Sequence, residues 1–86
     1  MFNVELTDKA EKDLDDMDDI IYDQFNKHFE KIAKNPPRKH AKHGLPFFTE
    51  NVGQGRIPCQ IVGDTIYIMR CFQNHKEYDK WLSTFK

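Results

Sequence analysis

The sequence predicts a single α+β domain in the order β-α-α-β-β-β-α: an antiparallel meander with helices packed on one of its faces. Three observations predict it. A short alternating run is followed by a long stretch with apolar residues three and four apart; a proline pair then ends the helical period; and three β-rich runs separated by glycine turns precede a final helical stripe. The 86 residues suffice for one modest core, and seven Phe, three Tyr and one Trp supply bulky material for it.

Phe2-Asn3-Val4-Glu5-Leu6 alternates apolar and polar, the period of a half-buried strand. Thr7 or Asp8 can cap the helix that follows, with Glu11 three residues beyond Asp8 in a capping-box arrangement and Ala10, Leu14 and Met17 as the apolar stripe. A second helix carries Ile21, Phe25, Phe29 (or His28) and Ile32, so that residues 8–34 form two helices ended by Asn35-Pro36-Pro37. Residues 36–44 have no apolar period and read as a basic loop. The runs Leu45 to Val52, Arg56 to Val62 and Thr65 to Phe72 are the meander, with Gly63-Asp64 as a two-residue turn. That turn pairs Val62 with Thr65, Cys59 with Ile68 and Arg56 with Cys71. Ile57, Cys59, Ile61, Ile66 and Ile68 then share the core face, and Arg56, Gln60, Tyr67, Met69 and Cys71 the other. Pro58 interrupts the ladder and implies a local bulge. Tyr78, Trp81/Leu82 and Phe85 mark a last helix docked on the sheet.

Charge is divided along the chain. Residues 1–30 hold ten Asp/Glu and three Lys, net −7, whereas residues 31–86 hold ten Lys/Arg and four Asp/Glu, net +6. Such a chain can present a cationic face to phosphates despite its overall charge of −1. Arg38, Lys39, His40, Lys42 and His43 form the most cationic segment and suit a polyanion such as RNA, although a solvated loop has the same composition. No apolar run reaches a membrane-spanning length and the start lacks the regions of a signal peptide, so the cytoplasm is expected. Cys59 and Cys71, offset and on opposite faces in this register, are not expected to pair, which agrees with a reducing compartment. His40 and His43 with Cys59 or Cys71 match no zinc spacing, and neither a metal nor another cofactor is expected.

Arg56, His75, Lys76 and Tyr78 are the candidate functional residues, because strand-end and loop positions beside an open sheet face let polar side chains converge on a ligand. The set suits a phosphodiester. Metal-free RNA cleavage needs a base for the 2′-hydroxyl proton, an acid for the departing 5′-oxygen and cations for the developing charge. Histidine can serve as acid or base, arginine grips phosphate through two donors, and tyrosine stacks on a base or donates a proton. A structural role for His75 at the start of the last helix is the other reading.

The order of elements, Ala10-Glu11-Lys12-Asp13-Leu14, the Lys-Asn-Pro break, Asn51-Val52-Gly53-Gln54-Gly55-Arg56-Ile57, and Gly63-Asp64-Thr65-Ile66-Tyr67 through His75-Lys76-Glu77-Tyr78 resemble the RelE family of toxin–antitoxin toxins, within the RelE/ParE superfamily. The resemblance covers nearly the whole length. It implies a fold related to small microbial ribonucleases, ribosome-dependent cleavage of mRNA, and neutralisation by a cognate antitoxin. It assigns Arg56 to phosphate contact, His75 and Tyr78 to proton transfer or base stacking, and Lys76 to an auxiliary charge. Several family nucleases place lysines on the strand where this chain has Phe47, Phe48, Thr49 and Glu50. Lys39 and Lys42 can supply that charge, or Glu50 can act as base. Two further readings are a ParE-like inhibitor that binds DNA gyrase, and a degenerate relative that only binds an antitoxin or the ribosome.

Overall fold

A computed structural model describes residues 1–40 and 45–85. The elements are β1 (Asn3–Leu6), α1 (Asp8–Asp15), α2 (Asp19–Lys34), β2 (Phe48–Val52), β3 (Gly55–Val62), β4 (Thr65–Ile68) and α3 (His75–Leu82). Thr7 caps α1: its Oγ1 accepts from the Ala10 N–H at 3.3 Å and donates to the Ile68 carbonyl at 2.8 Å, tying the helix start to the sheet. Asp18 caps α2 by accepting from the Ile21 N–H at 3.0 Å, and Asn35 closes it just before the prolines.

The sheet has four strands in the order β1-β4-β3-β2. β1 and β2 lie at opposite edges, so the helical pair between them carries the chain across one whole face, and the meander brings it back until β4 lies parallel to β1. The β3–β4 register is the one the two-residue turn dictates, Val62 opposite Thr65 and Cys59 opposite Ile68, with Gly63 at φ 61° supplying the left-handed conformation. On the inner face Val52, Ile57, Cys59, Ile66 and Ile68 meet Ala10 and Leu14 of α1 and Phe25, Phe29 and Ile32 of α2. Complete burial of Ile57, Ile66 and Ile68 contributes roughly 1.5–3 kcal/mol each.

Three expectations are corrected. First, the bulge falls on the strand that follows Ile68. Between the Cys59–Ile68 and Arg56–Phe72 pairs, β3 advances three residues and its partner four, so Arg56 faces Phe72 rather than Cys71. Pro58, which has no N–H to offer the ladder, sits at this misalignment and accepts from the Met69 N–H at 2.9 Å. Second, the extra residue turns Cys71 into the inner core beside Cys59's face; both thiols are buried and free, and burial pushes each up to about 12. Third, the helices do not all share one face. α1 and α2 cover the inner face, while α3 lies on the outer one, where Phe72, Tyr78 and Leu82 form a second cluster with Leu45 and Trp81. Phe47 joins that side, with ring centroids 5.9 Å from Trp81 and 5.2 Å from Phe85, and β2 begins at Phe48 rather than Leu45.

Candidate functional site

The outer face of β3 carries Arg56, beside the β2–β3 turn. Its backbone pairs with Phe72 through two hydrogen bonds of 2.9 Å, fixing the start of the chain that leads into α3. Gly55 lets this happen: a Cβ there would lie 2.8 Å from the Phe72 carbonyl oxygen and 3.0 Å from Phe25 Cζ. The Arg56 guanidinium is half-buried and turned back on the turn, with Nη1 donating to the carbonyls of Gly53 (3.1 Å) and Gly55 (2.8 Å). Nε and Nη2 remain as donors of the kind that grip a phosphate.

α3 crosses the outer face from this point. Asn74 caps it by accepting from the Glu77 N–H at 3.0 Å, so the cap is Asn74 and His75 is the first helical residue. Tyr78, 6% exposed, packs edge-on against Phe72 (6.0 Å), and its hydroxyl is hydrogen-bonded to the Thr49 hydroxyl of β2 at 2.6 Å. Burial raises the Tyr78 phenol above its ordinary value, against the opposing pulls of the Thr49 hydrogen bond and the nearby Arg56 charge. His75 occupies the same helical stripe one turn earlier, at the i, i+3 spacing, and is solvent-exposed. It lies three residues past Phe72, a span of at most about 11 Å.

The fold therefore brings Arg56, Thr49 and Tyr78 together and sets His75 at the exposed end of the same stripe. Lys76, one residue on and about 100° around the helix, is exposed and belongs to another face. Glu50 stands apart from this group. It projects from the inner face of β2, where Oε2 meets His28 Nδ1 at 3.0 Å and Lys31 Nζ at 3.4 Å of α2, on the opposite side of the sheet from Tyr78. The ring of Tyr78 is likewise interior, against Phe72 and Trp81, and its hydroxyl is enclosed against Thr49, so the residue presents no open stacking face.

Arg38, Lys39 and His40 are exposed and run beside β2 as a further edge: the Thr49 N–H donates to the Lys39 carbonyl at 2.8 Å, and the His40 ring lies 4.6 Å from Phe48. Lys42 and His43 lie outside the described residues. Among the described residues no three His, Cys, Asp or Glu side chains assemble as a metal site, and no helix is long and apolar enough to cross a membrane. Two links escape sequence reasoning. Thr49–Tyr78 joins residues 29 apart, and Asp13 receives Arg70 Nε at 2.8 Å and Nη2 at 3.0 Å from 57 residues away, together with the Cys71 N–H at 2.9 Å. No local pattern marks either; the presence of Asp13 in the α1 motif is the one hint.

No protein-family model matches the sequence, and no curated protein matches it. Solved structures match it by fold, and the fold is RelE-like. The isolated E. coli RelE toxin superimposes with a TM-score of 0.74 over 100% of both chains at 11% identity. The RelB–RelE antitoxin–toxin complex of Methanococcus jannaschii gives 0.69 over 90% of this chain and 98% of that one at 21% identity, and the chromosomal ParDE system of P. aeruginosa gives 0.70 over 86% and 97% at 17%.

Proposed function

We propose that this chain is the toxin of a toxin–antitoxin pair and that it cleaves mRNA on the ribosome, without a metal, in the cytoplasm. What supports the reading is the Arg56 charge beside Tyr78 on the outer sheet face, with His75 one helical turn before Tyr78 at the start of α3, on a RelE-like fold. In this mechanism the free donors of Arg56 hold the scissile phosphate and its developing charge, His75 moves a proton to or from a ribose or leaving oxygen, and the Tyr78 hydroxyl, polarised by Arg56, assists. Lys76 and the exposed Arg38, Lys39 and His40, with Lys42 and His43, bind the RNA backbone or the ribosome. A cognate antitoxin neutralises the chain by covering its basic side, as antitoxins accompany the toxins in the RelBE and ParDE structures.

The buried ring of Tyr78 and the absence of lysines from β2 favour a second reading, a ParE-like inhibitor that binds DNA gyrase, for which the P. aeruginosa ParDE likeness is the support. Induction of the chain in growing cells, with transcript ends mapped by primer extension, separates them. New 5′ ends within translated messages that vanish in Arg56→Ala support the nuclease; growth arrest with intact messages and inhibited supercoiling supports the gyrase reading.

A further inference from the structure

The inner core is left open at one edge. Phe2, Phe48 and Ile61 pack against it yet stay partly exposed, and with Pro36, Pro37 and Arg38 they line a pocket of about 350 Å³, toward the small end of the range for ligand sites. The prolines form one wall because α2 ends just before them, and the chain then runs beside β2, where the Thr49 N–H donates to the Lys39 carbonyl at 2.8 Å. The lining is five apolar side chains and one guanidinium. Arg38 is exposed, and its guanidinium has no partner among the described residues.

The charge around the pocket has one sign along the chain that frames it. Residues 31–49 hold Lys31, Lys34, Arg38, Lys39 and Lys42 and no Asp or Glu. Carboxylates on the adjoining elements are engaged or point elsewhere: Glu50 meets His28 and Lys31, Asp64 lies 3.5 Å from Thr65 Oγ1, Glu5 alternates to the outer face, and Glu30 has Lys34 one turn on along α2. The negative end of α2 is partly satisfied, since the Ala33 carbonyl accepts from the Phe2 N–H at 2.9 Å and the Lys31 carbonyl from the Asn35 N–H at 2.8 Å. A phosphate backbone would use the cations and leave the apolar floor empty. An apolar side chain carried on an acidic segment uses both.

We infer that this pocket seats one leucine-sized side chain of an acidic protein segment, whose flanking carboxylates meet Arg38 and Lys39. The inference rests on the reading that a protein partner covers the basic side, and it names the point at which that partner is anchored. It uses no nuclease chemistry, because Arg56, His75 and Tyr78 line no part of the pocket.

The test uses the full chain with carbon-13-labelled isoleucine methyl groups, the Ile61 signal being assigned by its loss in Ile61→Val. The probes are the acetylated, amidated peptide Gly-Asp-Glu-Leu-Glu-Asp-Gly, the same peptide with serine in place of leucine, the same peptide with its acids replaced by their amides, and hexauridylate. The expected result is a saturable shift of the Ile61 methyl signal with the acidic leucine peptide. Binding weakens at least about tenfold with serine, as loss of one buried leucine requires, and weakens also with the neutral peptide. The exposed substitution Arg38→Gln weakens the acidic leucine peptide and leaves the neutral one unchanged. Equal binding of the leucine and serine peptides would keep acidic docking on the basic side and overturn the pocket. No binding of either acidic peptide, or a saturable Ile61 shift with hexauridylate alone, would overturn the pocket and its partner class together.

Discussion

Replacing Thr49 with valine keeps the shape of the side chain and the β-propensity of β2 while deleting the hydroxyl that meets Tyr78 at 2.6 Å. Both partners are enclosed, Thr49 at 7% and Tyr78 at 6% exposure, so water does not readily replace the lost contact. A typical intramolecular hydrogen bond contributes about 0.5–1.5 kcal/mol net, and removing both of its hydroxyls at once costs less than the two single removals combined. Thr49→Val and Tyr78→Phe should therefore each destabilise the fold by about that amount, and the double variant by clearly less than their sum. In a chain of this size each 1 kcal/mol lowers the Tm by about 4–8 °C. Thermal and urea unfolding of the four chains, followed by circular dichroism and by Trp81 emission, completes the cycle. Strictly additive losses, or a Thr49→Val chain as stable as the parent, would refute the claim that this bond fastens α3 to the sheet.

Other consequences are as direct. Glu50→Gln should leave any RNA cleavage or growth inhibition intact while lowering stability by about 1 kcal/mol through its His28 and Lys31 contacts, and loss of activity in a fully folded Glu50→Gln chain would contradict the placement of Glu50 on the inner face. Gly55→Ala forces a methyl to within 3.0 Å of two backbone oxygens and should cost about 1–3 kcal/mol, measured as a shift in urea midpoint at constant slope. Burial raises the Cys59 and Cys71 thiols from 9.0 to about 12 and raises Tyr78 as well, so the folded chain holds protons that the unfolded chain releases. The resulting stabilisation is full below about pH 9 and lost as pH rises toward 12, and unfolding curves between pH 8 and pH 11 should show the decline, shallower in Cys71→Ala. The same burial predicts slow reaction of both thiols with a disulfide reagent at pH 8 until the fold opens.

Elements with a period or a turn residue were legible in the sequence. Phe25, Phe29 and Ile32 announce the buried side of α2 by their spacing, and Gly63-Asp64 sets a register that carries as far as Cys59 and Ile68. Beyond that pair the reading fails for a physical reason: a bulge is one extra residue, and every side chain after it changes face, which carries Cys71 inward and Phe72 outward. Pro58 signalled a defect but not which strand would absorb it. The mixed residues of the meander showed that one sheet face would be less apolar, but not that α3 would cover part of it, because Tyr78 and Trp81 have the same helical spacing whichever face they pack on. The candidate site followed the same division. Arg56, His75 and Tyr78 could be singled out by type and position. The assignment of Glu50 could not be judged, since alternation along β2 places it opposite Thr49 without saying which face holds the site.

Arg56 and His75 are proposed to act on ribosome-bound RNA. A reconstituted translation mixture programmed with one defined message, compared with the same message free of ribosomes, tests it for the parent chain and for Arg56→Ala and His75→Ala, each confirmed as folded. Cleavage within the translated region is expected only when ribosomes and both side chains are present; an intact message with the folded parent chain, or undiminished cleavage by both variants, would rule out these roles for Arg56 and His75.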